Sequence, residues 1–127
     1  MKVLMSIKPE FVAEIMNGNK KFEYRKNIFK RKDVSSIIVY ATKPYGKVVG
    51  EFEIEDIIVD NPKNIWKETK HVSGITKQFF YDYFEGRDKG FAIGIKKFVE
   101  YDTPLDLVSL NSNIKVAPQS FCYIEGT

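Results

Sequence analysis

Three charged side chains between positions 18 and 25 are the best candidates for chemistry in this chain. The segment reads Gly18-Asn19-Lys20-Lys21-Phe22-Glu23-Tyr24-Arg25, which follows the pattern G-x-K-x-x-E-x-R. An amine, a carboxylate and a guanidinium held together can grip an anion or the polar edge of a nucleobase, because charge-assisted hydrogen bonds are strong and directional. The spacing therefore predicts a polar binding site at Lys20, Glu23 and Arg25, the charged triad.

Side-chain alternation predicts which of these groups share a face. If the segment is a β-strand, side chains two residues apart point the same way, so Lys21, Glu23 and Arg25 would lie on one face and Tyr24 on the other. Lys20, in the preceding turn, could join the charged face. The alternative is an exposed strand edge with solubilising charges, since surface ion pairs are common and contribute little to stability individually.

The charge distribution is uneven along the chain. Net charge is +3, but residues 1–50 hold eleven Lys or Arg against four Asp or Glu, and the rest of the chain holds nine against thirteen. Seven basic residues face one acid between positions 20 and 32. Such a run, which includes Lys21 and Lys26, can attract a phosphate backbone. The alternative is a solvated loop.

A helix and several strands are expected to position the triad. Residues 2–6 read as a strand, and Pro9 begins a helix of about three turns with an apolar stripe that Gly18 ends. Further strands are predicted at residues 36–41, 47–59, 89–101 and 121–125.

Two more helices are expected between the central strands. One begins at Asn61-Pro62, and the other begins near Thr76 and ends at Gly86. Helical spacing places four aromatic residues on one side of the second helix, and we interpret them as core rather than as a stacking platform for bases: Phe79, Phe80, Tyr83 and Phe84.

The segment from Gly18 to Arg25, called the octet below, and four further segments resemble the ASCH domains of the PUA-like superfamily. The matching segments fall in the family's order across nearly the whole chain: Ser6-Ile7-Lys8-Pro9, Tyr40-Ala41-Thr42-Lys43-Pro44, Val48-Val49-Gly50-Glu51-Phe52 and Ala117-Pro118-Gln119-Ser120-Phe121. The resemblance implies an α+β fold with a PUA-like small β-barrel of about five to six mixed strands, an N-terminal helix and a helical insertion between central strands. We expect a single domain over residues 1–127, with the octet beside a cleft between the first helix and the barrel wall.

The resemblance also implies a partner, because PUA-like domains are associated with RNA or modified nucleobases and ASCH domains with RNA handling or transcription control. On this hypothesis Arg25 and the basic run hold phosphates, Glu23 orients Arg25 or accepts a base amino group, and Tyr24 or Tyr40 stacks on an unpaired base. The candidate RNA- or nucleotide-binding residues are Lys20, Lys21, Glu23, Tyr24, Arg25, Lys26, Thr42, Lys43 and Ser120.

Two other classes of function stay open beside RNA binding: an enzyme, of one of two kinds, and a protein-interaction domain. Some ASCH-like proteins are amidohydrolases on acylated cytidine that use a lysine at the place of Lys20 and a threonine three residues on, where this chain has Glu23. Others are reported as ribonucleases, for which Lys20 and Arg25 would stabilise the phosphorane charge and Glu23 would act as base. A protein-interaction domain is the third reading, and an exposed apolar patch on the helix at 79–84 would favour it.

The remaining residue types argue against several other functions. His71 is the only histidine and Cys122 the only cysteine, so neither a metal site nor a Cys-His or Ser-His nucleophile is predicted. No Walker or dinucleotide glycine loop occurs, which argues against a nucleotide cofactor. Cys122 reads as a buried thiol in a reduced compartment. With no run of about 18 apolar residues, we expect no membrane segment and a cytoplasmic location.

Overall fold

The described part of the chain forms a six-stranded mixed sheet with four short α-helices. The computed structural model describes residues 1–125. The strands are β1 (Lys2–Ile7), β2 (Phe22–Arg25), β3 (Ser36–Ala41), β4 (Lys47–Asp60), β5 (Gly90–Leu105) and β6 (Phe121–Ile124). The α-helices are α1 (Pro9–Met16), α2 (Pro62–Thr69), α3 (Lys77–Tyr83) and α4 (Leu107–Leu110), with a 3₁₀ helix at Lys70–Val72.

The sheet curls until its two ends approach each other. The strand order is β2-β5-β4-β3-β1-β6, with β1 and β3 parallel and the other pairs antiparallel. Arg25 on the edge strand β2 donates to the Ser6 carbonyl oxygen of β1 at 2.6 Å and to the Ser120 hydroxyl, just before β6, at 3.3 Å. This curled sheet confirms the predicted barrel-like α+β fold, and the insertion of α2 and α3 between β4 and β5 confirms the predicted helical insertion.

The core is divided into three clusters. The largest fills the inside of the curled sheet beneath α1, where Val12 and Ile15 pack against β1, β3 and β4. A second lies where β6 and α4 cover the sheet. The third joins α2 and α3 to the β2 end through Tyr24, Ile65 and Phe80. Since burial of apolar area drives folding, these clusters hold α1 and the inserted helices α2 and α3 against the sheet that carries the triad.

Local sequence signals explain how most elements begin and end. The Asn61 side chain accepts from the Asn64 N–H and the Thr76 side chain from the Phe79 N–H, so both inserted helices begin at the predicted caps. Gly18 and Gly86 adopt φ angles of 84° and 78° after α1 and α3, which favours glycine. The short helix α4 was not predicted, and β5 continues to Leu105, beyond the predicted end at 101.

Candidate functional site

One pocket gathers the charged triad. It encloses about 350 Å³ between α1, the octet and α3. Its lining consists of Ser6, Lys8, Phe11, Lys20, Glu23, Tyr24, Arg25, Thr42, Ile75, Phe79, Tyr83 and Gln119. The three triad groups therefore share one concave surface, whose other walls are aromatic or small and polar.

Lys20 is placed by the turn after α1 and by a distant loop. Gly18 turns the chain, and Lys20 then forms an isolated bridge with Ser73 in the loop before α3. Gly74 (φ 65°) lies so close that a Cβ there would be 2.3 Å from the Lys20 Cβ. Only glycine fits this contact, because a side chain would collide with Lys20 and would be strained at that φ angle. Close packing against the loop at Ser73 and Gly74 thus holds Lys20 in place.

The Lys20 amine is almost completely buried. The residue is 2% exposed, its Nζ donates to the Ser73 carbonyl oxygen at 3.1 Å, and it lies 3.8 Å from Glu23 Oε1. Nζ also lies over the Tyr24 and Phe11 rings, at 4.7 and 5.2 Å from their centroids. Burial lowers the pKa of Lys20 because the charged form loses its hydration; Glu23 opposes this shift and Arg25 adds to it.

This environment predicts an unusual titration of Lys20. We expect its side-chain NMR signals to titrate with a midpoint below the ordinary 10.5, because burial outweighs the attraction of Glu23. In a Glu23→Gln variant the midpoint should fall further, since the neighbouring negative charge is removed. A wild-type midpoint at or above 10.5 would show that the amine is better solvated or more strongly paired than this geometry implies.

Glu23 joins the two cations of the triad. Glu23 is 5% exposed, and its Oε2 accepts from Arg25 Nε at 3.1 Å and lies 2.9 Å from the Arg25 terminal nitrogen Nη2. Glu23 Oε1 faces Lys20 at a distance too long for a normal hydrogen bond. One carboxylate oxygen is therefore committed to Arg25, whereas the other keeps capacity to accept a hydrogen bond from a ligand.

Arg25 is held by protein oxygens on all sides of its guanidinium. Besides Glu23, it donates to the Ser6 carbonyl oxygen from Nη2 and to the Ser120 hydroxyl from Nη1. Nε and both terminal nitrogens are thus engaged. Arg25 therefore ties β2 to the opposite end of the sheet, and few of its five N–H groups are left to donate to a ligand.

The pocket has an aromatic wall that the sequence analysis assigned to the core. Phe80 and Phe84 are buried as expected, but Phe79 and Tyr83 are half-buried and line the pocket. Phe79 meets Phe11 of α1 edge to face, with ring centroids 5.1 Å apart. The interpretation of the four aromatics as core was therefore wrong for Phe79, whereas Tyr83 both packs against the third core cluster and lines the pocket.

Neither predicted stacking tyrosine offers an open ring face. Tyr24 is 5% exposed, meets Phe80 edge to face with centroids 5.0 Å apart, and hydrogen-bonds to the Thr69 hydroxyl at 2.7 Å. Burial raises the pKa of Tyr24 to about 12. Tyr24 therefore supports the pocket wall, and Tyr40 lies in the core cluster beneath β6 and α4.

The other predicted binding residues divide into those at the pocket and those outside it. Thr42 lines the pocket. Ser120 does not, but its hydroxyl accepts a hydrogen bond from Arg25, which lines the pocket. Lys21 and Lys43 are exposed and absent from the lining. Lys21 directly precedes β2, which begins at Phe22, and its exposed side chain does not join Glu23 in the pocket lining. Lys26 Nζ lies 4.8 Å from the centroid of the Tyr83 ring, at the edge of the pocket wall.

The basic run after β2 is packed rather than free. Phe29 is 7% exposed in the main core cluster, and the Tyr123 hydroxyl accepts from the backbone N–H groups of Lys30 and Arg31. Arg31 pairs with Asp33 at 2.9 Å. The loop therefore covers the gap between the two ends of the sheet, and part of its charge is neutralised locally.

Several pocket residues were not identified from sequence. These are Ser6, Lys8, Phe11, Ile75, Phe79, Tyr83 and Gln119. Ser6, Lys8 and Gln119 fall within segments that resemble the family, so the segments themselves were the available signal. The others require knowledge of how α1 and α3 pack.

The structure places the two residues most relevant to alternative chemistry outside the pocket. His71 is exposed in the 3₁₀ helix, and Cys122 is a half-buried free thiol rather than a fully buried one. Over residues 1–125, no group of three or more His, Cys, Asp or Glu is arranged to hold a metal ion. Within the same range, no helix has the length and apolar character needed to cross a membrane.

Two sequence relatives contain a segment similar to this chain. Large ribosomal subunit protein uL22 of Ureaplasma parvum serovar 3 is 36% identical over 92 residues, which cover 72% of this chain and 29% of that protein. The ASCH domain-containing ribonuclease of Zymomonas mobilis is 31% identical over 91 residues, covering 72% of this chain and 62% of that protein. The aligned segment spans less than two thirds of either relative.

A solved structure and a family model agree on the fold. The crystal structure of ASCH from Zymomonas mobilis superposes with a TM-score of 0.88 at 26% identity, covering 98% of this chain and 88% of that one. The sequence model of the ASCH domain matches residues 5–101. These residues include the octet, α1 and α3, which form most of the pocket. The chain therefore belongs to the ASCH domain family.

Proposed function

We propose that this protein binds single-stranded RNA by taking one unpaired nucleotide into the pocket. The observation that carries the proposal is the convergence of Lys20, Glu23 and Arg25 beside an aromatic wall in one cavity of about 350 Å³. Sequence-dependent recognition of RNA generally uses unstacked bases that lie against aromatic side chains and hydrogen-bond along their edges. The cavity volume falls within the range of about 300–1,000 Å³ that is usual for small-ligand sites.

The floor of the pocket suits the edge of a nucleobase. Glu23 Oε1 can accept a hydrogen bond, and the Lys20 amine 3.8 Å away can donate one. Nucleobases present donors and acceptors side by side on their pairing edges, so a base can meet both groups at once. Arg25 fixes the other carboxylate oxygen, which keeps Glu23 in position before a ligand arrives.

The walls suit the flat faces of the base. Phe79 and Tyr83 are four residues apart on α3, and Phe11 meets Phe79 from α1. Stacking of a base on an aromatic side chain contributes about 1–3 kcal/mol to single-strand binding. A base paired in a duplex cannot reach this wall without being extruded, which costs additional free energy.

Binding to single-stranded and duplex RNA of the same sequence tests this proposal. We expect tighter binding to the single strand, and we expect the association constant to fall steeply as salt rises, because phosphate contacts release counterions. Fluorescence anisotropy with labelled RNA measures both effects. Equal affinity for the duplex, or single-strand affinity independent of salt, would contradict the proposal.

RNA cleavage is a second candidate function. It is supported by the ribonuclease from Zymomonas mobilis, at 31% identity, and by the distance of 3.8 Å between Lys20 Nζ and Glu23 Oε1 in the pocket. Protonated Lys20 would stabilise the negative charge that develops on the phosphorane oxygens, and Glu23 would accept the proton of the attacking hydroxyl. End-labelled single-stranded RNA should then be cut by the wild-type protein but not by Lys20→Met. No difference between the two proteins would exclude this role for Lys20.

The amidohydrolase alternative has weaker support. Glu23 occupies the position where the threonine of that mechanism is expected, and it adds a negative charge beside the amine. That charge favours the protonated form of Lys20, which is not nucleophilic. Incubation with acetylated cytidine in the same series of assays decides the point, because this alternative requires release of acetate.

A docking role for α3 also has little support. The two α3 aromatics that could form an apolar patch with Phe79 and Tyr83 are Phe80 and Phe84, and both are buried. Phe79 and Tyr83 are turned into the pocket instead. The aromatic side of α3 is thus divided between the core and the cavity.

A further inference from the structure

We propose that Lys8 and Lys26 contact the phosphates on either side of the bound nucleotide, so that the pocket takes a nucleotide from within an RNA strand rather than a free nucleoside. This inference rests on the proposed function, which it extends from the base to the backbone. It is carried by the position of the two amines at opposite ends of the aromatic wall and by the engagement of the other pocket cations.

Lys8 lies at the α1 side of the pocket. It is the exposed residue that precedes Pro9 at the start of α1, and it lines the pocket. Its Nζ lies 5.2 Å from the centroid of the Phe79 ring and 6.0 Å from that of Phe11. The amine is therefore held over the aromatic wall while it keeps access to solvent, as a phosphate ligand requires.

Lys26 lies beside Tyr83, the other α3 ring of the same wall, although Lys26 does not itself line the cavity. It directly follows β2 and is partly exposed, with Nζ 4.8 Å from the centroid of the Tyr83 ring. Phe79 and Tyr83 are four residues apart in α3, a rise of about 6 Å along the helix. Each amine thus stands over a ring of α3, and the two rings come from positions one helical turn apart, an arrangement that suits the phosphates before and after one nucleotide.

The other pocket cations have little capacity left for phosphate. The Lys20 amine is buried against Ser73 and Glu23, and the Arg25 guanidinium is engaged by Glu23 and two further oxygens. Among the described residues, Lys8 and Lys26 form no ion pair within 4.0 Å. They are thus the pocket-edge cations whose charge remains available to an anion.

An RNA strand can then cross the pocket mouth from one lysine to the other. Its backbone stays at the surface, where the lysines act as point charges toward the phosphates. The base between the two phosphates turns inward along Phe79 toward Glu23. A free nucleoside would keep the base contacts but lose both phosphate contacts, so its affinity should be much lower.

Salt titrations of charge-removing variants test this arrangement. The variants are Lys8→Gln, Lys26→Gln and the double variant, with Lys63→Gln on the exposed side of α2 as the matched control. With single-stranded RNA of about eight nucleotides, within the usual site sizes, each of the first two should lower the slope of log K against log salt by about 0.7. The double variant should lower it by about twice as much, and the control should leave it unchanged.

A second measurement separates the phosphate contacts from the base contacts. A nucleoside 3′,5′-bisphosphate should bind wild type about tenfold more tightly than the matching nucleoside, and the double variant should lose this difference. If wild type binds no RNA, the proposed function fails. If wild type binds RNA and Phe79→Ala weakens it, but the lysine variants match the Lys63→Gln control, only this inference is overturned.

Discussion

Replacing Glu23 with alanine is expected to lower the free energy of unfolding by about 3 kcal/mol. The carboxylate lies between Lys20 and Arg25, whose side chains are 1% and 12% exposed. Removing it leaves two cations in a poorly hydrated site without their partner, which is the costly way to break a buried ion pair. We expect a loss in the lower part of the usual range of about 3–5 kcal/mol, because water can enter the pocket and the Lys20 amine can lose its proton.

Chemical denaturation measures this loss, and Glu55→Ala is the matched control. Glu55 is an exposed carboxylate on β4, so its removal should change stability by less than about 0.5 kcal/mol. Adding Lys20→Met to Glu23→Ala should restore part of the lost stability, because one of the two unpaired charges disappears. A loss no larger for Glu23→Ala than for Glu55→Ala would show that the triad is solvated and not a coupled buried group.

Replacing Phe79 with alanine is expected to weaken single-stranded RNA binding by about tenfold to a hundredfold. The ring forms the part of the pocket wall that meets Phe11, and a base has no comparable surface to replace it. Because Phe79 is only half-buried, the variant should remain folded. Anisotropy titrations at one fixed salt concentration measure the change.

Tyr81→Ala is the matched control for this experiment. Tyr81 is on the same helix and is also half-buried, but it packs near Trp66 and Phe80 and does not line the pocket. The control should therefore lose some stability while it keeps RNA affinity. Equal loss of affinity in both variants would mean that α3 acts through general stability rather than through a stacking surface.

Local sequence rules were sufficient where the determining contacts are close in the chain. Gly18 ended α1 and turned the chain, and alternation along β2 correctly placed Glu23 and Arg25 together. The alternation rule does not place Lys20, which lies before β2 and forms a bridge to Ser73 that brings it to the pocket. That bridge joins residues 53 positions apart in the chain, and no sequence pattern near either residue predicts the contact.

The aromatic wall illustrates a second limit of sequence reasoning. Helical spacing correctly placed four aromatics on one side of α3, but a helix at the boundary of the core has both a buried edge and an open edge on that side. Which edge is open depends on how α1 packs near α3, where Phe11 meets Phe79. Phe80 and Phe84 therefore pack inward, whereas Phe79 and Tyr83 line the cavity.

Mapping a short single-stranded RNA onto the protein by NMR tests the central claim most directly. If one nucleotide enters the pocket, the largest changes in backbone amide shifts should fall in residues 20–25 and 79–83, and Phe79→Ala should strongly reduce them at the same RNA concentration. If RNA instead contacts only the basic loop that follows β2, the changes would be confined to residues 27–33 and would survive Phe79→Ala. That second pattern would contradict the account given for this pocket.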